Sequence, residues 1–290
     1  MTIELEQPAA ADLGDVVAAL RDWQDDAAPF QLHPGDLGWL WRLGVEATAS
    51  ATRTWRRDGR IVAIGELDEH VLVRLAIAPD VQHDEPLARQ LAADLSDPGR
   101  GVLHAGTVYV EAPADVVLRD VLTADGWELD EPWTPLTRPL ADPVEDPRVR
   151  IEVTGPARVS ARTAVQRAAF TSSTFTDERW QEMAAGPAYA DARCLVAYDG
   201  DGEAVAGVTV WSAGPGRPGL LEPMGVHRDH RGHGYGRAVT VAAATALREL
   251  GSSSATVCTR AANVGGVATY AAAGYRPQSD RRDLRRVPLG

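Results

Sequence analysis

A glycine-rich segment with arginines and histidines, from Gly225 to Arg237, has the residue types and the spacing to bind an anion. It overlaps the end of an apolar run, Leu220 to Val226, and precedes an alanine-rich stretch with helical spacing, so we expect a strand, a turn and a helix in that order. Glycine has no β-carbon and accepts positive φ, so successive backbone N–H groups of such a turn can converge on phosphate oxygens. The N-terminus of the following helix adds positive potential. The segment therefore predicts an anion-binding turn.

The order of residues in this turn excludes two nucleotide-binding patterns. A Walker motif ends in a Lys-Ser/Thr pair, which is missing here, and a Rossmann fingerprint needs a glycine three residues after Gly234, where Arg237 stands. The pattern Arg-x-x-Gly-x-Gly instead resembles the acetyl-CoA pyrophosphate loop of the GNAT N-acetyltransferase superfamily. The resemblance implies that the loop backbone binds the pyrophosphate while two arginine side chains add charge. The residues it assigns to this task are Arg231, Gly232, His233, Gly234, Tyr235, Gly236 and Arg237.

A second segment, Asn263 to Tyr275, strengthens the resemblance because a glycine-rich turn alone is also typical of an ordinary loop. Asn263 precedes Tyr270 by about two helical turns, so both side chains can face one ligand. The resemblance implies that Asn263 holds the amide of the pantetheine arm and that Tyr270 protonates the departing thiolate. The residues themselves leave two alternatives open, in which Asn263 is only a helix N-cap and Tyr270 only a core aromatic.

Glu222 lies on the predicted strand that leads into the turn, among apolar neighbours. Partial burial would raise the pKa of this carboxyl toward a value suited to deprotonating an ammonium group. Pro223 cannot donate to a sheet ladder and predicts a bulge or a gap between strands. The resemblance implies that the backbone of Met224 and Val226 pairs with pantetheine in such a gap. The alternative is that Glu222 merely pairs with an arginine.

Three histidines in the segment, His227, His230 and His233, do not have the spacing of a metal site. They straddle a strand end and a loop, and no cysteine or carboxylate completes a compact ligand set. We expect no metal, and we expect these side chains to line the phosphate site or face solvent.

The composition describes a globular protein with an acidic balance. The chain has 290 residues, enough for two domains, and a mean hydropathy of −0.20. It has no apolar stretch of membrane-spanning length and begins with acidic residues, so we expect a cytoplasmic protein without a membrane partner. The net charge of −12 argues against a nucleic-acid partner and favours a cationic one. Cys194 and Cys258 are expected to be reduced thiols.

A proline-punctuated acidic stretch near the middle of the chain predicts a linker at 141–149, between domains at 1–140 and 150–290. The two halves share a repeated order of strand, helix and Gly-aromatic. Gly126 and Gly274 are 148 residues apart, and Ile77 and Val226 are 149 residues apart, which suggests a duplication. We therefore expect an α/β (α+β) fold of two tandem GNAT-like domains, each a mixed, mostly antiparallel twisted sheet flanked by helices.

The presumed cofactor residues are present in only one of the two copies. Glu85 and Leu87 replace two motif glycines in the first half, Val73 stands in the place of Glu222, and Leu122 stands in the place of Tyr270. Asp115 is expected to keep the capping role of Asn263. The first half is therefore interpreted as a degenerate copy, an organisation similar to that of mycothiol synthase.

The resemblance implies an acetyl-CoA-dependent N-acetyltransferase in which an amine attacks directly in a ternary complex, with Glu222 as base and Tyr270 as acid. The alternative, from another class, is a non-catalytic acyl-CoA-binding sensor. The acceptor is expected to be a small, cationic molecule with a primary amine, although an aminoglycoside-like polycation, a mycothiol precursor and a protein N-terminus stay open. A monomer and a homodimer are both compatible with the sequence.

Overall fold

The computed structural model of the chain describes residues 2–288. Its strands are β1 Ile3–Glu6, β2 Thr52–Arg57, β3 Arg60–Asp68, β4 Leu72–Ile77, β5 Val108–Glu111, β6 Glu128–Pro139, β7 Arg150–Val153, β8 Ala192–Tyr198, β9 Ala204–Ser212, β10 Gly219–Val226, β11 Ser254–Arg260, β12 Arg276–Pro277 and β13 Arg281–Arg286. Its α-helices are α1 Leu13–Asp22, α2 Pro34–Leu40, α3 Val45–Ser50, α4 Glu85–Ser96, α5 Val117–Ala124, α6 Val159–Ala169, α7 Asp177–Ala185, α8 Tyr235–Glu249 and α9 Val264–Ala272. None of the helices in residues 2–288 has both the length and the apolar character needed to cross a bilayer.

The described residues form two compact units, and each unit draws on both halves of the sequence. The first contains the residues up to His33, then Glu46–Trp133, and those from Asp280 onward. The second contains Pro34–Val45 and Thr134–Ser279. A segment that includes α2 thus belongs to the second unit, and the C-terminal strand β13 belongs to the first.

The sheet of the second unit runs in the order β6-β11-β10-β9-β8-β7. Strands β7 to β10 are antiparallel neighbours, and β10 pairs with β11 in parallel. A parallel pair needs a crossover, which α8 supplies. Val239, Ala243 and Leu247, whose spacing of four residues places them on one face of this helix, are fully buried. The small alanine side chains of α8 allow close packing on the sheet, which places the helix N-terminus at the end of β10.

The first unit repeats this strand order. Strands β1 to β4 are antiparallel neighbours, and β4 pairs with β5 in parallel after the crossover helix α4. Strand β13 then pairs with β5 and β6. Strands β2 and β3 form a hairpin around Asp58 and Gly59, an Asp-Gly pair that is typical of such turns, with φ of 52° and 78° at these two residues. The predicted fold class, mixed and mostly antiparallel sheets flanked by helices, is confirmed.

The edge of β4 that faces away from β3 is hydrogen-bonded to Gln31 and Leu32, which belong to the same unit. Ala78 N donates to Val62 O at 3.0 Å, so the antiparallel alternation directs the backbone of Leu75 and Ile77 away from β3. Leu75 O accepts from Leu32 N at 3.3 Å, and Ile77 N donates to Gln31 Oε1 at 3.3 Å. The side chains of Gln31 and Leu32 are buried, so this contact is part of the core.

The expectation that Asp115 caps α5 is wrong. The helix begins at Val117, its N-cap residue is Val116, and no side chain caps it. Asp115 lies one position earlier with φ of 59°, a left-handed conformation that aspartate tolerates in turns.

Candidate active site

The glycines between β10 and α8 serve two separate structural purposes. Gly232 and Gly234 have φ of 81° and 84°, which other residues adopt only with strain, and a β-carbon on either would meet nothing within 4 Å. A β-carbon on Gly236 would lie 3.0 Å from Thr269 Cγ2 and 3.3 Å from Val226 Cγ2. Gly236 therefore lets α8, α9 and β10 approach one another, whereas the first two glycines shape an open turn.

Helix α8 begins without a side-chain cap. Its N-cap residue is Gly234, and the first bond within the helix runs from Ala238 N to Gly234 O at 3.0 Å. The N–H groups of Tyr235, Gly236 and Arg237 thus precede the first intrahelical bond and face the turn. Three N–H groups at the positive end of a helix of this length are suited to bind an anion.

The corresponding helix of the first unit, α4, has its N-terminus closed by its own carboxylate. Asp84 Oδ1 accepts from Leu87 N at 2.8 Å, and Arg57 binds the two oxygens of Asp84 at 2.7 and 3.0 Å. The hydrogen bond from Arg57 lowers the pKa of Asp84, so this carboxylate stays charged. An anion would meet a negative charge at this helix.

The arginine side chains of the turn already have partners. Arg231 Nη2 donates to Ala169 O at 2.9 Å, at the C-terminal end of α6. Arg237 Nε donates to Ala272 O at 2.9 Å, and its Nη2 lies 3.2 Å from Glu145 Oε1. The guanidinium groups hold neighbouring helix ends in place, so the directed donors of the turn are backbone N–H groups.

The histidines of the turn form a ring cluster with Tyr235. The His227 and His230 ring centroids are 5.2 Å apart, and His233 stacks on Tyr235 at 6.2 Å. His227 Nδ1 accepts from Asp229 N at 3.2 Å. Within residues 2–288, no group of three or more His, Cys, Asp or Glu side chains is arranged to hold a metal ion.

Strand β10 leaves one of its edges open next to the turn. Its register with β9 shifts between Leu221 and Met224, which confirms the bulge predicted at Pro223. Pairing with β11 is confined, in the described chain, to Gly219 and Leu220.

The open edge exposes two backbone positions. Because His227 N donates to Val205 O at 2.8 Å, the alternation of antiparallel bonds directs the N–H and C=O groups of Met224 and Val226 away from β9. These groups face the gap where β11 has separated from β10. A ligand with amide groups could pair with this edge as a further strand would.

Glu222 and Tyr270 lie close enough to influence each other electrostatically. Glu222 is half-buried, and its carbonyl oxygen accepts from Trp211 Nε1 at 2.7 Å. Tyr270 is 7% exposed, and burial raises the pKa of its hydroxyl. The negative charge of Glu222 raises this pKa further, and Cys258 makes a smaller contribution in the same direction. The hydroxyl is therefore protonated at neutral pH and able to donate.

Asn263 is the N-cap residue of α9, a role that the sequence left open for it. Its Oδ1 accepts from Gly266 N at 3.1 Å, and its Nδ2 donates to Thr259 Oγ1 at 3.0 Å. A β-carbon on Gly266 would lie 2.4 Å from Asn263 Nδ2, so this glycine makes room for the cap. Asn263 itself is exposed, and its amide retains one hydrogen and one lone pair for a ligand.

A cavity of about 280 Å³ lies beside Glu222. Its lining residues are Trp39, Arg42, Gln166, Phe170, Ser172, Ser173, Thr174, Phe175, Glu222 and Pro223. Among these residues, the sequence predicts Glu222 as a site residue and Pro223 as a bulge. Trp39 lies in an aromatic, turn-rich segment, Phe30 to Trp41, whose composition suits the wall of an acceptor cleft, but the segment precedes Glu222 by more than 180 residues.

Two glycines hold the Trp39 segment against the sheet of the second unit. A β-carbon on Gly35 would lie 2.6 Å from the Trp211 side chain, and one on Gly38 would lie 2.4 Å from it. Helix α2 therefore packs directly on Trp211, the residue whose indole nitrogen bonds to Glu222. This contact places Trp39 and Arg42 at the cavity.

Residues 162–275 match the model of the acetyltransferase (GNAT) family, and the match includes the turn, Glu222 and Tyr270. No curated protein matches the sequence.

Solved structures resemble the whole chain. A GCN5-related N-acetyltransferase from Sphaerobacter thermophilus is 18% identical with a TM-score of 0.58, over 98% of this chain and 95% of that one. A tandem GNAT protein from the clavulanic acid biosynthesis pathway is 17% identical with a TM-score of 0.58, over 100% of both chains. A GNAT-family acetyltransferase from Colwellia psychrerythraea is 14% identical with a TM-score of 0.60, over 98% of both. At these identities the likeness shows the fold.

Proposed function

We propose that this chain, whose residues 162–275 match the GNAT family model, transfers an acetyl group from acetyl-CoA to a primary amine. The observation that carries the proposal is the uncapped N-terminus of α8 at the end of the open edge of β10. An anion site and an amide-pairing edge follow each other there, as a pyrophosphate and a pantetheine arm require. Glu222 lies on β10 itself, and Tyr270 lies on α9, close enough for the charge of Glu222 to raise the pKa of its hydroxyl.

The residues of the second unit fit an acyl-CoA. Backbone N–H groups from Gly232 to Arg237 bind the pyrophosphate, while the Arg231 and Arg237 side chains add positive potential. The backbone of Met224 and Val226 pairs with the pantetheine amides. The remaining amide hydrogen of Asn263 donates to the same arm. Acetyl-CoA supplies the acetyl group in activated form, as a thioester.

Two side chains move the protons. Glu222, directly or through water, accepts the proton of the ammonium group, and the neutral nitrogen then bonds to the carbonyl carbon as the carbon–sulfur bond breaks. Tyr270 donates its hydroxyl proton to the departing sulfur, which leaves as a thiol. The second proton of the nitrogen restores Tyr270 or passes to solvent, so one proton is released for each amide formed.

A matched pair of glycine variants tests the cofactor site. Gly234→Glu places a carboxylate at the N-terminus of α8. Gly216→Glu adds the same charge at another glycine with positive φ and open space, before the opposite end of β10. We expect CoA to raise the melting temperature of the wild type and of Gly216→Glu by several degrees, and to leave Gly234→Glu unchanged. Equal stabilisation of both variants by CoA would place the anion site elsewhere.

Thiol release from acetyl-CoA in the presence of primary amines then tests transfer. We expect thiol release that depends on the amine and disappears in Gly234→Glu. Stabilisation by CoA without release, across a panel of amines, would favour a non-catalytic acyl-CoA-binding sensor instead.

A further inference from the structure

The cavity beside Glu222 limits the size of the acceptor. Its volume of about 280 Å³ is at the lower end of small-molecule sites, which span roughly 300–1,000 Å³. A molecule built of several sugar rings extends well beyond this space, whereas an amine with one ring or a short chain is contained in it.

The charged side chains that line the cavity limit the number of ammonium groups that the acceptor can carry. Of the described residues that line it, Glu222 is the only carboxylate and Arg42 is the only guanidinium. The ammonium group to be acetylated takes the position at Glu222. A second ammonium group would find no other carboxylate in the cavity and would meet the positive charge of Arg42, which is unfavourable in a partly buried site.

The apolar lining of the cavity is mostly aromatic. Phe170 is 39% exposed and packs on β10, where a β-carbon on Gly225 would lie 2.7 Å from its ring. Phe175 is buried, with its ring centroid 4.9 Å from that of Trp39. Arg42 lies 4.3 Å from the centre of the Trp39 ring and holds the indole at the wall. An aromatic ring that enters beside Phe170 gains edge or offset contacts beyond the burial of its area.

We infer that the acceptor is an arylalkylamine: a primary monoamine with an uncharged aromatic body that lies against Phe170 and Trp39 while its nitrogen faces Glu222. This inference rests on the proposed function, since it assigns the amine of the same reaction. Phe170 and Trp39 are then the residues that determine specificity.

Four probes separate the acceptor classes. They are 2-phenylethylamine, n-butylamine, spermidine and a dipeptide with a free N-terminus, each tested by thiol release at saturating acetyl-CoA. We expect kcat/KM for 2-phenylethylamine to exceed that for n-butylamine by about 10-fold. We expect spermidine and the dipeptide to be poorer than either. A preference for spermidine or the dipeptide overturns the acceptor class and leaves the transferase function standing.

The variant Phe170→Ala, with Val153→Ala as its control, tests whether Phe170 causes the preference for the aromatic amine. Val153 is 57% exposed on β7 and does not line the cavity. We expect Phe170→Ala to raise KM for 2-phenylethylamine by about 10-fold and KM for n-butylamine by less than about 3-fold. Binding of 2-phenylethylamine to the CoA-bound protein, measured by calorimetry, separates the two proposals. Binding that depends on Phe170 but yields no thiol supports the acceptor class and removes the transferase, whereas binding insensitive to Phe170, or none, overturns the acceptor class.

A second inference depends on different contacts, those at the edge of β4. Leu75 and Ile77 precede Met224 and Val226 by 149 residues, the same spacing that relates Ile77 to Val226 in the sequence repeat. Both pairs direct their backbone groups away from the adjacent antiparallel strand. At β4 these groups are already bonded to Leu32 N and Gln31 Oε1. The N-terminus of α4 is likewise closed by Asp84.

We infer that the chain binds one acyl-CoA. In the first unit, Gln31 and Leu32 already bond to the backbone groups of β4 that correspond to the open edge of β10. Titration of the full chain with CoA by calorimetry should give one site per chain. Gly234→Glu should remove it, and Gly216→Glu should keep it. A second site in the wild type, or one site left in Gly234→Glu, overturns the inference. No binding in the wild type overturns both this inference and the proposed function, whereas two sites overturn this inference alone.

Discussion

At the scale of single residues, the environment of Tyr270 sets its protonation state. The hydroxyl is buried and lies near the carboxylate of Glu222, and both effects raise its pKa. Such a group remains protonated throughout the neutral range. It is suited to donate a proton and unsuited to accept one, which fits the role of acid rather than base in the proposed transfer.

Replacement of Tyr270 by phenylalanine removes that proton and little else. We expect Tyr270→Phe to lower kcat by about 100-fold or more, the lower range for loss of a general acid, while the Kd for CoA stays within about 3-fold. Steady-state kinetics and a CoA titration measure the two effects. Tyr198→Phe, which alters another buried tyrosine of the same unit, is the control and should keep full turnover. Undiminished turnover of Tyr270→Phe with saturating amine would remove it as the acid.

The buried carboxyl group of Asp283 makes the stability of the first unit depend on pH. Burial and the charge of Glu111 raise the pKa of this carboxyl to about 6, despite the opposing charges of Arg281 and Arg74. Asp130 adds a further negative charge that raises it. A raised pKa means that the folded state holds the proton more tightly than the unfolded state. The stabilisation is therefore complete below the ordinary pKa of 3.8 and is lost as pH rises through about 6.

The variant Asp283→Asn should remove this dependence. Between pH 4 and pH 7 we expect the wild type to lose up to roughly 3 kcal/mol of unfolding free energy relative to the variant. Denaturant titrations at several pH values measure the difference. The exposed carboxylate of Asp125, replaced by asparagine, is the control. Parallel curves for wild type and Asp283→Asn would contradict the assignment.

At the scale of elements, close backbone contact fixes α2 on the sheet of the second unit. The contact depends on the absence of side chains at Gly35 and Gly38, both of which lie against Trp211. Trp211 in turn bonds to the backbone of Glu222. The helix therefore affects the position of the proposed base through one indole ring.

An added methyl group at this contact should disturb both packing and the site. We expect Gly38→Ala to destabilise the chain by about 1–3 kcal/mol through overpacking and to raise KM for the amine. Gly14→Ala is the matched control, since Gly14 lies within α1 and its β-carbon would meet nothing within 4 Å. That variant should be neutral or more stable because alanine favours helix. Equal stability of the two variants would show that α2 can shift without cost.

Sequence patterns predicted the elements whose determinants are local. The glycines of the turn, the hairpin at Asp58 and the buried face of α8 depend on residues within a few positions of one another. The proximity of Trp39 to Glu222 depends on packing between distant segments, which leaves no periodicity or spacing to detect. The expected cap at Asp115 was wrong because the backbone conformation there, and not the residue type, decides where α5 begins. The sequence also gave no sign that the guanidinium of Arg231 is bonded to the end of α6.

At the scale of the whole molecule, two segments belong to units that their sequence positions do not suggest. Pro34–Val45 is part of the second unit, and the residues from Asp280 onward are part of the first. A division at 141–149, as the mid-chain prolines predict, would leave each half without one segment that its unit contains. The buried Trp211 would lose its cover, and strands β5 and β6 would lose β13 between them.

The isolated stretch 150–290 should therefore perform the proposed transfer poorly. We expect it to be prone to aggregation and to melt well below the full chain, because burial of Trp211 by α2 is lost. Thermal melting and thiol release, compared with the full chain, test this. Addition of a peptide that covers residues 34–45 should recover part of the stability, whereas an equally stable 150–290 fragment would make α2 dispensable.

The assignment of Pro34–Val45 to the second unit also constrains how such a gene can change. After a duplication, either copy is usually free to be lost, or to recombine into another gene. Here a break between the copies would separate the cavity wall from the proposed catalytic residues. The two halves must then be inherited together, even if only the second binds a cofactor. A first copy without a cofactor site of its own would therefore still be retained.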